Sequence, residues 1–370
     1  MTHLSRTAPL LKSALARAML MIALGLPLAG AAHAAPDKAA VVRGAIDGYI
    51  RPAYADLAAA TAKIKADQTA LCATPSAEAL ATVRADFAVM IGSFSRIEFV
   101  RFGPIMDESR IDRILFWPDR RGVALRQVQA LLAQKDPAAT DPTGLRAKSV
   151  AVQGFNALEF VLFGTDADAL ATPGGTYACA FGAAITANLA DETAAISGGW
   201  QAQGGIAGAM LDPKPTNPAY RSLDDSLQEI AGIFIHGLEA TRDLRLNPAL
   251  GESIEKAAPK TLIYPRANLA KASLQANFAG LETLYAASDI AGLLPPDKQA
   301  IGTAISAEFA KADGIFAAMT VPLPDAVGDP TQRPAVADIL TLTHALQKQF
   351  AEQLAPALGL SAGFSSLDGD

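Results

Sequence analysis

The sequence is poor in the residues from which reactive centres are usually built. Four histidines and two cysteines are spread over 370 residues, and aromatics make up only 6% of the chain. It has no P-loop, no G-x-G-x-x-G following a strand, no G-x-S-x-G and no C-x-x-C, which removes the common nucleotide-binding, serine-hydrolase and thiol-redox signatures. H-E-x-x-H is also missing. Runs of alternating β-branched residues are absent as well, so little in the pattern favours strands.

What is present favours helix. Alanine and leucine are abundant, and both are strong helix formers. Helical periodicity runs from Ala39 to Lys65, and Ser76 is placed to cap a following helix. Another helix is expected from about Val123 to Gln134, one over Ser149 to Phe163, and one near Cys179 to Ile196. In the second half, Ser222 with Asp225 forms a capping-box variant ahead of a helix that reaches Asp243. Further helices are expected through Phe278 and Tyr285, over Asp297 to Phe316, and over Ala335 to Leu354. The fold class expected is all-α.

Residues 1–34 read as an export signal. Arg6, Lys12 and Arg17 form a basic start, an apolar run spans Ala18 to Ala29, and Ala32-His33-Ala34 is an A-x-A cleavage site. The apolar core is too short for a comfortable transmembrane helix. This predicts a periplasmic protein with no transmembrane segment in its mature form. The leader carries three basic residues and no acidic one, so its removal takes the formal charge from −6 to −9 and leaves 336 residues. Nucleic acid and anionic membrane surfaces are poor partners for such a chain. His3 and His33 leave with the leader, so only His236 and His344 remain for acid–base or metal chemistry.

Cys72 and Cys179 remain as an even pair, which in an exported protein predicts a disulfide ahead of a metal site or a nucleophile. Such a bridge would close a long loop and stabilise by about 4 kcal/mol in the chain-entropy model. It would tie together the two ends of a first domain, residues 35–197. Residues 198–219, rich in glycine and proline, then read as a linker to a second domain, residues 220–370.

A short phrase recurs four times, as Phe94-Ser95-Arg96-Ile97-Glu98, Phe155-Asn156-Ala157-Leu158-Glu159, Ile235-His236-Gly237-Leu238-Glu239 and Phe278-Ala279-Gly280-Leu281-Glu282. Extended to residues 93–104 and 154–165, the first two copies agree at six of twelve positions. Such self-similarity suggests duplicated structural units. On a helix, Phe94, Glu98 and Phe102 would share one column, as would Phe155, Glu159 and Phe163, with Gly103 and Gly164 as C-caps. Each acid would lie in an apolar stripe, where it needs a cation, a hydrogen-bond donor, a metal or a proton. Arg101 and Arg242 follow Glu98 and Glu239 at i+3, so simple structural ion pairs are the alternative to a binding role.

Together with the cysteine pair, four stretches, VRFGPI (100–105), SVAVQGFNALEFVLFG (149–164), GLEATRDLRL (237–246) and the closing GFSSLDGD, resemble the imelysin-like family. The resemblance covers nearly the whole mature chain. It implies two helical bundles related by duplication, with a site near their junction, in an exported protein linked to bacterial iron uptake. The family is also catalogued as a metallopeptidase group. Its hallmark Gly-x-His-x-x-Glu maps onto Gly154, Asn156 and Glu159, with asparagine in place of histidine. A neutral amide is a poorer ligand than imidazole for iron, copper or zinc.

His236 and Glu239 supply a second His-x-x-Glu. With Glu159 they form a candidate metal set, an i, i+3 pair being able to give two ligands to one ion. Catalytic zinc generally needs three protein ligands, an open water position and a base, which two histidines serve badly. A di-iron site fails because the residues three after each phrase glutamate are Arg101, Leu162, Arg242 and Tyr285, none of them histidine.

The expectation is a binding protein associated with iron acquisition and the cell-envelope uptake apparatus. Its site would comprise Glu98, Arg101, Asn156, Glu159, His236, Glu239 and Arg242, and its ligand would be a metal or a small anion. A degenerate metallopeptidase and a non-catalytic interaction protein are the alternatives.

Overall fold

The computed structural model describes residues 37–361, so the leader and the closing GFSSLDGD lie outside the described residues. Every regular element among the described residues is helical. In chain order the helices are α1 (Lys38–Ala45), α2 (Arg51–Ala73), α3 (Ala77–Ile97), α4 (Arg110–Ile114), α5 (Val123–Gln134), α6 (Pro142–Arg146), α7 (Gly154–Phe163) and α8 (Thr176–Gln201). There follow α9 (Ile206–Leu211), α10 (Leu223–Ala240), α11 (Asn247–Leu250), α12 (Ala270–Ser288), α13 (Gln299–Ala318), α14 (Leu323–Gly328) and α15 (Arg333–Lys348). None of them is long and apolar enough to cross a membrane.

The helix starts follow local chemistry. Asp37 accepts from the Ala40 N–H, Ser76 from Ala79, and Ser222 with Asp225 closes a full capping box on α10. Single turns of π-helix join α1 to α2 (Ile46–Ile50) and α10 to α11 (Thr241–Leu246). The second of these carries Arg242, Asp243 and Arg245.

The core runs continuously through both halves of the chain. Helix α2 lies between α3 and α8, and α7 packs on α8. Cys72 at the end of α2 is bonded to Cys179 in α8. Helix α3 packs on α12, and α1 packs on α10 and α12. The α3–α12 approach is close because Gly280 has no side chain: a Cβ there would come within 2.1 Å of the Arg96 carbonyl oxygen.

Several boundaries differ from the sequence reading. Helix α3 stops at Ile97, and Glu98 is its C-cap, so Phe102 is not on the helix and no single helical column holds Phe94, Glu98 and Phe102. Gly103, at φ +68°, opens the next short turn instead of closing α3. Helix α8 begins earlier than expected and continues through Gly198 and Gly199. Residues 206–211 form α9, so the irregular part of the 198–219 stretch is shorter than its composition suggests.

Candidate functional site

The first two copies of the repeated phrase meet in space. Phe94 and Phe155 pack edge to face with ring centroids 4.9 Å apart, and both rings are fully buried. This contact brings the C-terminus of α3 beside α7 and sets Glu98 and Glu159 in two adjacent cavities. Trp117 and Leu244 line both cavities.

Glu98 and Arg101 do not form the expected i+3 ion pair. The Arg101 Nε donates to the Glu98 main-chain oxygen at 3.2 Å, because the chain has already left the helix. The Glu98 carboxylate instead accepts from Arg245 through Oε1. Arg245 also donates to the Ser273 hydroxyl at 2.9 Å and lies over the Trp117 ring at 5.6 Å. Ser273 in turn touches the Ser95 hydroxyl, and Asn277 donates to the Ser95 carbonyl. Arg245 and Glu98 are each only 6% exposed. Together these groups form a buried polar network between α3, α12 and the π-turn after α10.

Glu159 is satisfied differently. It is 1% exposed, and its Oε1 accepts from the main-chain N–H groups of Arg266 at 2.8 Å and Ala267 at 3.0 Å. The Arg266 guanidinium is 3.9 Å from Oε2 and lies over the Phe160 ring at 5.0 Å. Burial pushes the Glu159 carboxyl above its ordinary range, and the two main-chain donors, with Arg266, pull it part of the way back. The hallmark glycine has a local reason. Gly154 opens α7 at φ +71°, and a Cβ there would meet the carbonyl oxygens of Ile114 and Arg113 at 2.3 and 2.4 Å.

The seven residues expected at one site are divided. Glu98, Arg101 and His236 line the first cavity, of about 440 Å³. Asn156 and Glu159 line the second, of about 640 Å³. Glu239 and Arg242 line neither. His236 Nδ1 is 3.5 Å from Glu239, and Arg242 makes its close pair with Asp243, at 2.6 Å, leaving Glu239 3.9 Å away. Arg242 also reaches His344 at 3.2 Å, which occupies the second of the two histidines among the described residues. Glu159 thus lines a different cavity from His236. Among the described residues no three His, Cys, Asp or Glu side chains gather closely enough to hold a metal ion.

Arg245, Asn277, Trp117 and Tyr264 are among the cavity-lining residues that the sequence reading did not single out. Arg245 sits in the quoted GLEATRDLRL stretch, three residues after Arg242, and that spacing was its signal. Asn277 immediately precedes the fourth phrase. Trp117 lies in a turn, residues 116–122, whose sequence FWPDRRG shows charge and no helical periodicity. Tyr264 gave no signal: it is fully buried at φ +53°, its hydroxyl has no partner, and burial together with Glu98 and Glu159 raises its pKa well above the ordinary value.

The described residues form an all-helical protein with two adjacent cavities, one lined by the buried Glu98 and the other by the buried Glu159 and Tyr264. The imelysin family model (peptidase M75) matches residues 50–349, and the chain belongs to that family. No curated protein matches the chain. An imelysin-like protein from Psychrobacter arcticum 273-4 has a similar fold, with a TM-score of 0.73 at 20% identity over 90% of this chain and 98% of that one. A protein of Parabacteroides distasonis ATCC 8503, named as an iron-regulated protein A precursor, superposes with a TM-score of 0.66 at 15% identity, over 87% of this chain and 97% of that one.

Proposed function

We propose that this chain is an exported, periplasmic imelysin-family binding protein that serves iron acquisition by holding a small anionic ligand, such as an iron chelate, in the cavity around Asn156 and Glu159. The observation that carries this reading is the charge of that cavity's wall. Arg120, Lys260 and Arg266 all line it, and among the described residues neither Arg120 nor Lys260 is in an ion pair. The acids beside them are already engaged. Asp119 accepts from the main-chain N–H groups of Val123 and Ala124, both at 2.8 Å, and Glu159 accepts from Arg266 and Ala267. The surplus is therefore cationic, over an apolar floor that includes Val128 and Phe160. The amide of Asn156 can offer either a donor or an acceptor to such a ligand. The iron association rests on family membership and on the name of the Parabacteroides protein.

The test is calorimetric titration of tag-free protein with ferric citrate, citrate alone, and bare Fe(II), Fe(III), Cu(II) and Zn(II). Stoichiometric binding of the chelate, weakened by salt and by Lys260→Ala or Arg266→Ala, is the expected outcome. Tight binding of a bare ion that disappears in both Glu159→Gln and His236→Ala would replace the anion reading with a metal site. Absence of binding by every probe would leave the interaction-protein alternative in its place.

A further inference from the structure

The first cavity differs from the second in the charge of its wall, although Asn156 Oδ1 in the second is also a buried acceptor without a partner. The unmet hydrogen-bonding capacity of the first cavity consists of acceptors. Glu98 Oε2 and Asn277 Oδ1 are buried and have no partner, and both residues line the cavity. Glu98 is 6% exposed and Asn277 1% exposed. The orientation of the Asn277 amide is fixed by its Nδ2, which donates to the Ser95 carbonyl and leaves Oδ1 as the free atom. Glu229, on the α10 wall, adds a carboxylate whose Oε2 receives only the Tyr220 hydroxyl, at 3.3 Å.

The cations nearby do not cancel this surplus. Arg245 is committed to Glu98 Oε1, Ser273 and the Trp117 face. Arg101 is exposed and turns its Nε to a main-chain oxygen, and His236 is drawn to Glu239. Asp225 is held in the capping box at the start of α10. The remaining wall is aromatic, supplied by Phe99, Phe102 and Trp117. Buried acceptors left without donors cost free energy that a ligand supplying those donors recovers. An alkylammonium carries three donors and one positive charge, and ring faces attract it further. A volume of about 440 Å³ fits a molecule of roughly amino-acid size.

We infer that this first cavity is a second binding site, selective for a small organic ammonium ion with an apolar body, whose charged head is held by Glu229, with Glu98 Oε2 and Asn277 Oδ1 adding unmet acceptors to the same wall. Burial raises the Glu229 carboxyl above its ordinary range, and the Tyr220 hydroxyl and His236 pull it part of the way back.

The experiment titrates the full chain with 2-phenylethylammonium and with 3-phenylpropionate, a carboxylate of similar shape, by calorimetry and tryptophan emission. Trp117 lines the cavity, whereas Trp200, the second tryptophan, is fully buried and reaches it only through Phe102. Any binding of the acid, whose charge suits the other cavity, should be indifferent to Glu229→Gln, and saturable one-to-one binding of the amine is expected. It should weaken by about tenfold or more in Glu229→Gln and largely return in Glu229→Asp, since a hydrogen bond to a charged partner is involved. Gln is isosteric, so the fold is retained. No saturable binding at millimolar amine would overturn the inference, and so would equal affinity in wild type and Glu229→Gln. Neither result bears on the anion reading of the other cavity, which the chelate titration decides separately.

Discussion

Replacing Glu98 by Gln tests whether the buried network was assigned its true members. The variant keeps the shape of the side chain and removes its charge. Arg245 is then left with a 7% exposed side chain and no counter-ion. Breaking one side of a buried pair costs about 3–5 kcal/mol, because the surviving charge stays desolvated. Here the lower end applies, since Arg245 keeps Ser273 at 2.9 Å and the Trp117 ring at 5.6 Å. About 3 kcal/mol corresponds to a fall in Tm of roughly 4 °C for a chain of this size. Urea denaturation followed by circular dichroism measures the loss directly. Arg101→Ala is the matched control, and it should change stability by no more than about 0.5 kcal/mol, because Arg101 is exposed and touches only a main-chain oxygen. The double variant Glu98→Gln with Arg245→Met should recover most of the loss, since both charges are gone. If Arg101→Ala costs as much as Glu98→Gln, or Glu98→Gln costs under 1 kcal/mol, the partner assignment is refuted.

Two further outcomes follow from the same packing. Replacing Cys72 and Cys179 together by Ala opens a loop of 107 residues and should cost up to about 5 kcal/mol in the denatured-state model, read as a lower urea midpoint relative to the oxidised protein. Glu159→Gln should change the pH dependence of stability. The folded protein holds the Glu159 proton more tightly than the unfolded chain does, so the wild type loses stability as pH rises from the ordinary glutamate value of 4.5 through the raised one, and Gln does not. The Tm of the variant relative to wild type should therefore climb across that interval, and a difference independent of pH would contradict the shift.

The helices were legible because their signals are local. Ser76, Ser222 and Asp225 cap what they were expected to cap, and Val123–Gln134 is a helix with the expected ends. The disulfide was legible from an even cysteine pair. The partner of each buried acid was not legible, because it depends on where the chain goes after the helix. Helical spacing pointed from Glu98 to Arg101, but α3 ends one residue before Glu98, and the guanidinium that reaches it is 147 residues away. Glu159 finds main-chain donors in a loop 107 residues downstream, and main-chain donors leave no mark in a sequence. Tyr264 belongs to the same class of omission: a buried aromatic in an irregular loop has no periodicity to announce it.

The repeated phrase thus specifies a shape without specifying a chemistry. Its two best copies use phenylalanine at equivalent positions to pack against each other and to push an acid inward. One acid then meets a guanidinium in a cavity with unmet acceptors, and the other meets two main-chain N–H groups in a cavity with surplus cations. The difference has an energetic consequence. Main-chain donors are neutral, so Glu159→Gln leaves no buried charge behind, whereas Glu98→Gln strands Arg245. Equivalent substitutions in equivalent positions of the repeat should therefore act unequally, Glu98→Gln lowering stability and Glu159→Gln leaving it unchanged or raised at neutral pH. Asn156 fits the same logic. A hallmark position that carries an amide suits a cavity where the charge on the wall belongs to Arg120, Lys260 and Arg266, and where the ligand brings the negative charge with it.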